Sequence, residues 1–163
     1  MNIETLRDVY RAELQEARSV EAQLIEALPR MIRTADAADL TDALDEHLSQ
    51  TRSQLERVDA ILQRHSLDVH EHRDQSMQTI IVEADQWANL ITDPACRDAA
   101  LIASAQRIVH YEIAVYGTLS TWARQLDLGE DAATLHAILE EEKATDHTLT
   151  LLAKTGVNPA AAA

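Results

Sequence analysis

Glu21, His47, Glu112 and Glu142 are side chains that could hold a cation, and each falls near the middle of a long helix-patterned run in this 163-residue chain. Glu112 poses the chemical question most sharply. It lies within the segment from Ile108 to Tyr116, whose apolar face reads Ile102, Ala105, Val109, Ile113 and Tyr116 at steps of three and four. Glu112 shares that face. A buried carboxylate without a partner costs several kcal/mol, so something must neutralise it. A metal cation would do so, and so would hydrogen bonds from arginine or tyrosine. The acid-rich set suits iron or manganese better than zinc or copper.

The elements that must position these residues are all helices. Gly and Pro occur three times each, and Phe is absent, so the chain is poor in helix breakers and its core is aliphatic. One domain spanning residues 1–157 is expected, with a frayed Ala-rich tail over 158–163. The first long helix runs from near Asn2 past Leu28, kinks or breaks at Pro29 and resumes to Thr34. The second spans Leu40 to His65. Residues 66–73 form a loop, followed by a short helix from Asp74 to Leu90. Asp93 and Pro94 supply an N-cap and a first helical position for a third long helix reaching Leu126. Gly129 closes it, and a fourth runs from Asp131 to Lys154, with Gly156 and Pro159 as stop signals. Two short connections and one long crossover give two antiparallel hairpins. That is the arrangement of a ferritin-like four-helix bundle, here with an additional short helix in the crossover.

Register within the hairpins brings the candidates to one height, because a helix rises about 1.5 Å per residue. Glu21 stands level with Thr51, and His47 lies one turn away. Glu112 stands level with Asp146, with Glu142 one turn from it. Every long helix thus offers a metal-competent group to one layer. Glu13 rivals Glu21 but falls two turns off. His47 also reads as a satisfied core histidine, and Glu140 to Glu142 as a solvated charge run from which Glu142 alone follows the apolar positions inward. Asp146 either clamps a cation with Glu142 or pairs with Lys143 or Arg124. His110 stands to one side of Glu112 as a peripheral ligand candidate. Gln50 is placed to orient a ligand, and Tyr116 to fill the core or hydrogen-bond a carboxylate. His65, His70 and His72 with Glu71 straddle a loop, and His136 with Glu140 lies on the wet side of its helix.

Composition excludes several classes. A formal net charge of −14 repels phosphate backbones. The single cysteine, Cys96, forms no internal bridge and fits a reducing compartment. No apolar run approaches about 18 residues, and the amphipathic, acidic beginning is unlike a signal peptide. A cytoplasmic protein without nucleic-acid or membrane partners is expected. No Gly-rich phosphate loop, Ser/His/Asp set or paired-cysteine motif is present.

Four segments, taken together, are familiar: EAQLIEALPRM from Glu21, EHLSQT from Glu46, HYEIAVYGT from His110 and EEKATD from Glu141. In this order they resemble the YciE/YciF-type bacterial stress proteins, a branch of the ferritin-like superfamily, over nearly the whole chain. The resemblance implies a ferritin-like fold, a homodimer, a two-metal centre and a link to stress responses. The chain departs from the usual di-iron recipe, since Glu-x-x-His occurs nowhere. The leading expectation is therefore two metal ions, iron or else manganese, held by Glu21, His47, Glu112, Glu142 and Asp146 with His110 beside them. Dioxygen or peroxide would be the small-molecule oxidant. Competing expectations are a metal-free helical protein acting through its surface, and an acid–base enzyme using Glu112 and His47.

Overall fold

Local capping chemistry decides where the helices begin. In the computed structural model, which describes residues 3–69 and 72–163, α1 spans Leu6–Thr34 and opens on a capping box. The Thr5 hydroxyl accepts from the Asp8 amide at 3.2 Å, and the Asp8 carboxylate accepts from the Thr5 amide at 3.0 Å. Asn2, the expected start, lies outside the described residues. α3, Gln75–Leu90, is capped by Asp74, and α4, Pro94–Gln125, by Asp93 with Pro94 in its first turn, as the sequence predicts.

α2, Ala38–Arg64, has no cap of its own because Ala37 occupies the position. Asp98 of α4 replaces it, accepting from the Asp36 amide at 2.9 Å and the Ala37 amide at 2.7 Å. A carboxylate at the positive end of a helix is also favoured by the dipole. α2 and α4 both end in Schellman motifs built without glycine. Ser66 and Asp127 take left-handed φ values of 53° and 58°, and the amides of Leu67 and Leu128 return to the carbonyls of Leu62 and Ala123. Asp127, not Gly129, therefore closes α4, and Gly129 begins α5, Gly129–Leu152. Asp127 succeeds because its short polar side chain tolerates this conformation.

Two further boundaries differ from expectation. α1 passes through Pro29 without a break. Burial of Leu28 and Met31 on either side holds the last turn to the core although the proline donates no hydrogen bond. After Leu152 the chain widens into a π-helical turn, Ala153–Val157, and continues as α6, Asn158–Ala161, in place of a stop and a frayed tail. Ala153 and Val157 are buried by that turn. Pro159 falls in the first turn of α6, where a missing amide proton does no harm.

α1 pairs with α2 and α4 with α5, while α1 packs on α4 and α2 on α5. α3 lies in the crossover against α4 and α1. These contacts make the ferritin-like bundle of two antiparallel hairpins. The apolar core comes in two parts. One contains Leu24, Leu44, Leu48, Ile102, Val109 and Leu149. The other contains Leu14, Val58, Ile61, Val115, Leu119, Leu135 and Ile138. On α2 the break falls between Leu48 and Val58, on α4 between Val109 and Val115, and on α5 between Leu139 and Leu149. A polar layer fills it.

Candidate metal centre

Each long helix contributes one residue to that layer. Glu21, Glu112 and Glu142 are 0% exposed and His47 is 3% exposed. His47 Nε2 stands 3.6 Å from Glu112 Oε2, and Nδ1 stands 3.9 Å from Glu142 Oε2. Both gaps are too long for hydrogen bonds. One ligand atom from each of His47, Glu112 and Glu142 falls within 4.8 Å of the others. A cation bound at 2.0–2.2 Å would hold neighbouring ligand atoms about 3–3.5 Å apart, so a small closure of this cluster suffices.

Glu21 joins the layer from α1. Its Oε1 accepts a hydrogen bond from the buried Tyr116 hydroxyl, and its Oε2 has no partner. Glu142 Oε1 accepts from Gln54 Nε2 at 2.6 Å, and the same amide reaches Glu141 at 3.0 Å. Glu141 is in turn held at the surface by Arg57, with Nη1 at 3.0 Å. The layer is thus anchored from two sides by side chains that leave its inner atoms free.

Those free atoms test whether a metal fits. Glu21 Oε2, both oxygens of Glu112, Glu142 Oε2 and both nitrogens of His47 are buried without a hydrogen-bond partner. Burial, then the charges of the neighbouring glutamates, pushes Glu21 and Glu112 well above the ordinary carboxylate range. Glu142 is pushed up by burial to about 7 even though Gln54 hydrogen-bonds it. Burial lowers His47 to about 4, keeping the imidazole neutral and its lone pair available. Buried orphan groups of this kind cost about 1–3 kcal/mol each, and a divalent cation would satisfy one atom each of His47, Glu112 and Glu142. A proton held between the Glu112 and Glu142 carboxyls is the competing neutraliser. Among the described residues no arginine reaches Glu112, and the nearby tyrosine serves Glu21 instead.

Asp146 and His110 are not brought into this group. His110 is 63% exposed and its Nε2 lies 3.2 Å from Asp146 Oδ1, which also accepts from Gln106 at 3.0 Å. One further turn along α5 rotates Asp146 toward the edge of the bundle, and two residues before Glu112 points His110 the opposite way. Lys143 pairs with Glu140 and not with Asp146. Gln50 bonds Glu46 and Thr145 at the surface, so the amide that orients a ligand is Gln54. Its signal was its place two turns beyond His47. Glu141, which the charge run places in solvent, is the half-buried link between Gln54 and Arg57. His65 pairs with Asp131 and His72 with Glu16, while His70 and Glu71 lie outside the described residues.

Comparison with known proteins decides the family. The profile described as a domain of unknown function, DUF892, matches residues 5–162. The chain belongs to the DUF892 family. Protein YciF of Escherichia coli (strain K12) is 42% identical over 159 residues, covering 97% of this chain and 96% of that protein. The crystal structure of the E. coli stress protein YciF superposes with a TM-score of 0.91 at 41% identity, covering 96% of this chain and 99% of that one. YcfI from Rhodopseudomonas palustris gives a TM-score of 0.88 at 36% identity, over 91% of this chain and 95% of the other. The YciF-type resemblance read from the four segments is thereby borne out, and this DUF892 chain has a YciF-like helical fold. No helix among its described residues is long and apolar enough to cross a membrane.

Proposed function

We propose that the chain is a stress-associated protein that binds a di-metal centre, iron or else manganese, between Glu21, His47, Glu112 and Glu142. The stress association rests on the E. coli relative. The observation that carries the metal reading is the set of unpartnered, fully buried donor atoms on four helices. Bound there, the metal would supply one-electron redox chemistry toward dioxygen or peroxide. The chain's own contribution is positioning. Tyr116 fixes Glu21 through one oxygen, Gln54 fixes Glu142 through one oxygen, and the apolar clusters on both sides exclude water. A homodimer in a reducing cytoplasm belongs to the same reading. Exposed Val82, Trp87 and Leu90 on α3 are apolar surface that a second copy would cover.

Elemental analysis of protein purified without chelator, then reloaded anaerobically with ferrous ion, tests the reading. Between one and two metal ions per chain are expected, lost in Glu112→Ala. Less than about a tenth of a metal per chain, unchanged by that substitution, would favour a metal-free helical protein instead.

A further inference from the structure

We propose that the seam between α2 and α5 is a dioxygen passage ending at His47; this rests on the metal reading above. A narrow crevice with His47 on its wall is otherwise bounded by Leu28, Leu44, Ala105, Ile108, Val109 and Leu149, with Ala43 and Thr145 completing it. His47 is buried, while Ala43 and Thr145 are half-buried, so the crevice runs from the surface inward to the imidazole. Ala43 and Thr145 also border a more open surface depression with Glu46, Gln50, Ala144 and Thr148. Ala43 and Thr145 thus line both spaces.

The walls determine what can pass. The free volume beside His47 is about 10 Å³, roughly one water-sized sphere. A hydrated ion or an organic molecule is too large. Apart from His47, the one polar side chain on the wall is Thr145, and its hydroxyl is already engaged with Gln50 Oε1 and the Glu141 carbonyl, each at 3.2 Å. Hydrogen peroxide would leave its water partners and find few replacements. A nonpolar diatomic loses nothing by entering. The passage exists because small residues, Ala43 and Ala144, stand where a leucine would close the seam. Both nitrogens of His47, at its inner end, lack partners.

Two measurements test the passage. Crystals of chelated Leu149→Ala protein held under xenon should show an anomalous peak between Leu28 and Ile108, weakened when Ala43→Leu is added. Anaerobically iron-loaded protein is then mixed with dioxygen or with hydrogen peroxide. In the dioxygen reaction two ferrous ions lose one electron each, and dioxygen takes both with two protons and leaves as hydrogen peroxide. Ala43→Leu should slow this reaction about tenfold and leave the peroxide reaction within about twofold. Leu149→Ala, which widens the crevice, should not slow the dioxygen reaction and keeps the test decisive if Ala43→Leu folds poorly. Absence of xenon from the crevice, or equal slowing of both oxidants, overturns the passage. Failure of the protein to take up iron overturns it through the metal reading, and a xenon peak in the crevice then locates the fault in the centre and not in the route.

Discussion

Glu112 is wholly buried between the acids of two other helices, with the Glu142 carboxyl as its near partner. In chelated protein, Glu112→Gln keeps the shape and removes the cost of either protonating that carboxylate or burying its charge. It should stabilise the chain by about 2 kcal/mol, seen as a rise of about 4–8 °C in melting temperature, while abolishing metal uptake. An unchanged metal content in that variant would remove Glu112 from the centre. Gln54 acts by holding Glu142 and offers no ligand of its own. Gln54→Leu should weaken metal binding about 10–100-fold without eliminating it, measurable by competition with a chromogenic chelator. Glu112 was legible in the sequence because it interrupts an otherwise apolar face. Asp146 falls beside His110 and Gln106 because spacing places a residue at a height but not on a side, and the edge of the bundle begins within one turn of Glu142.

At the scale of elements, the caps that cross between helices carry the testable consequences. Asp98 supplies the cap that α2 lacks. Asp98→Ala should cost about 1–2 kcal/mol in urea unfolding, and Ala37→Ser in that background should recover part of it by providing a local cap. No recovery would mean that Asp98 matters for another reason. Asp131, in the first turn of α5, accepts from Tyr10 at 2.8 Å and from Arg64 Nη2 at 2.9 Å, and its other contact is His65. Burial raises its carboxyl, but the bonds from His65, Tyr10 and Arg64 outweigh this and hold it below the ordinary aspartate range. A depressed folded pKa means that the unfolded chain binds more protons. The stabilisation is therefore complete above the unfolded value and is lost as pH falls through the folded one. Asp131→Asn should cost about 1–3 kcal/mol at pH 7, and its difference from the unsubstituted chain should shrink as pH falls below 4. A gap that stays constant with pH would contradict the ionised Asp131 network. None of these partnerships could be read from the chain in order, since Asp98 and Ala37, or Tyr10 and Asp131, meet only after the hairpins pack.

For the molecule as a whole, a metal that binds only the folded chain adds to its stability by mass action. At a free metal concentration of 100 Kd the gain is about 2.7 kcal/mol, so chelation should lower the melting temperature by about 5–10 °C. A melting temperature indifferent to chelator would count against a buried centre. The amino-acid sequence by itself determined the four long helices and the short crossover helix, their antiparallel pairing and one acid or imidazole on each long helix. Periodicity and connection length are local quantities, and the chain carries them in plain order. Only the tertiary structure decided which polar groups face one another. It separated Glu21, His47, Glu112 and Glu142 from Asp146 and His110, chose Gln54 over Gln50, and let the helix run on past Gly156 and Pro159. The reason is physical: a rotation of a few tens of degrees about a helix axis moves a side chain from core to solvent, and that rotation is set by how four apolar faces fill one space.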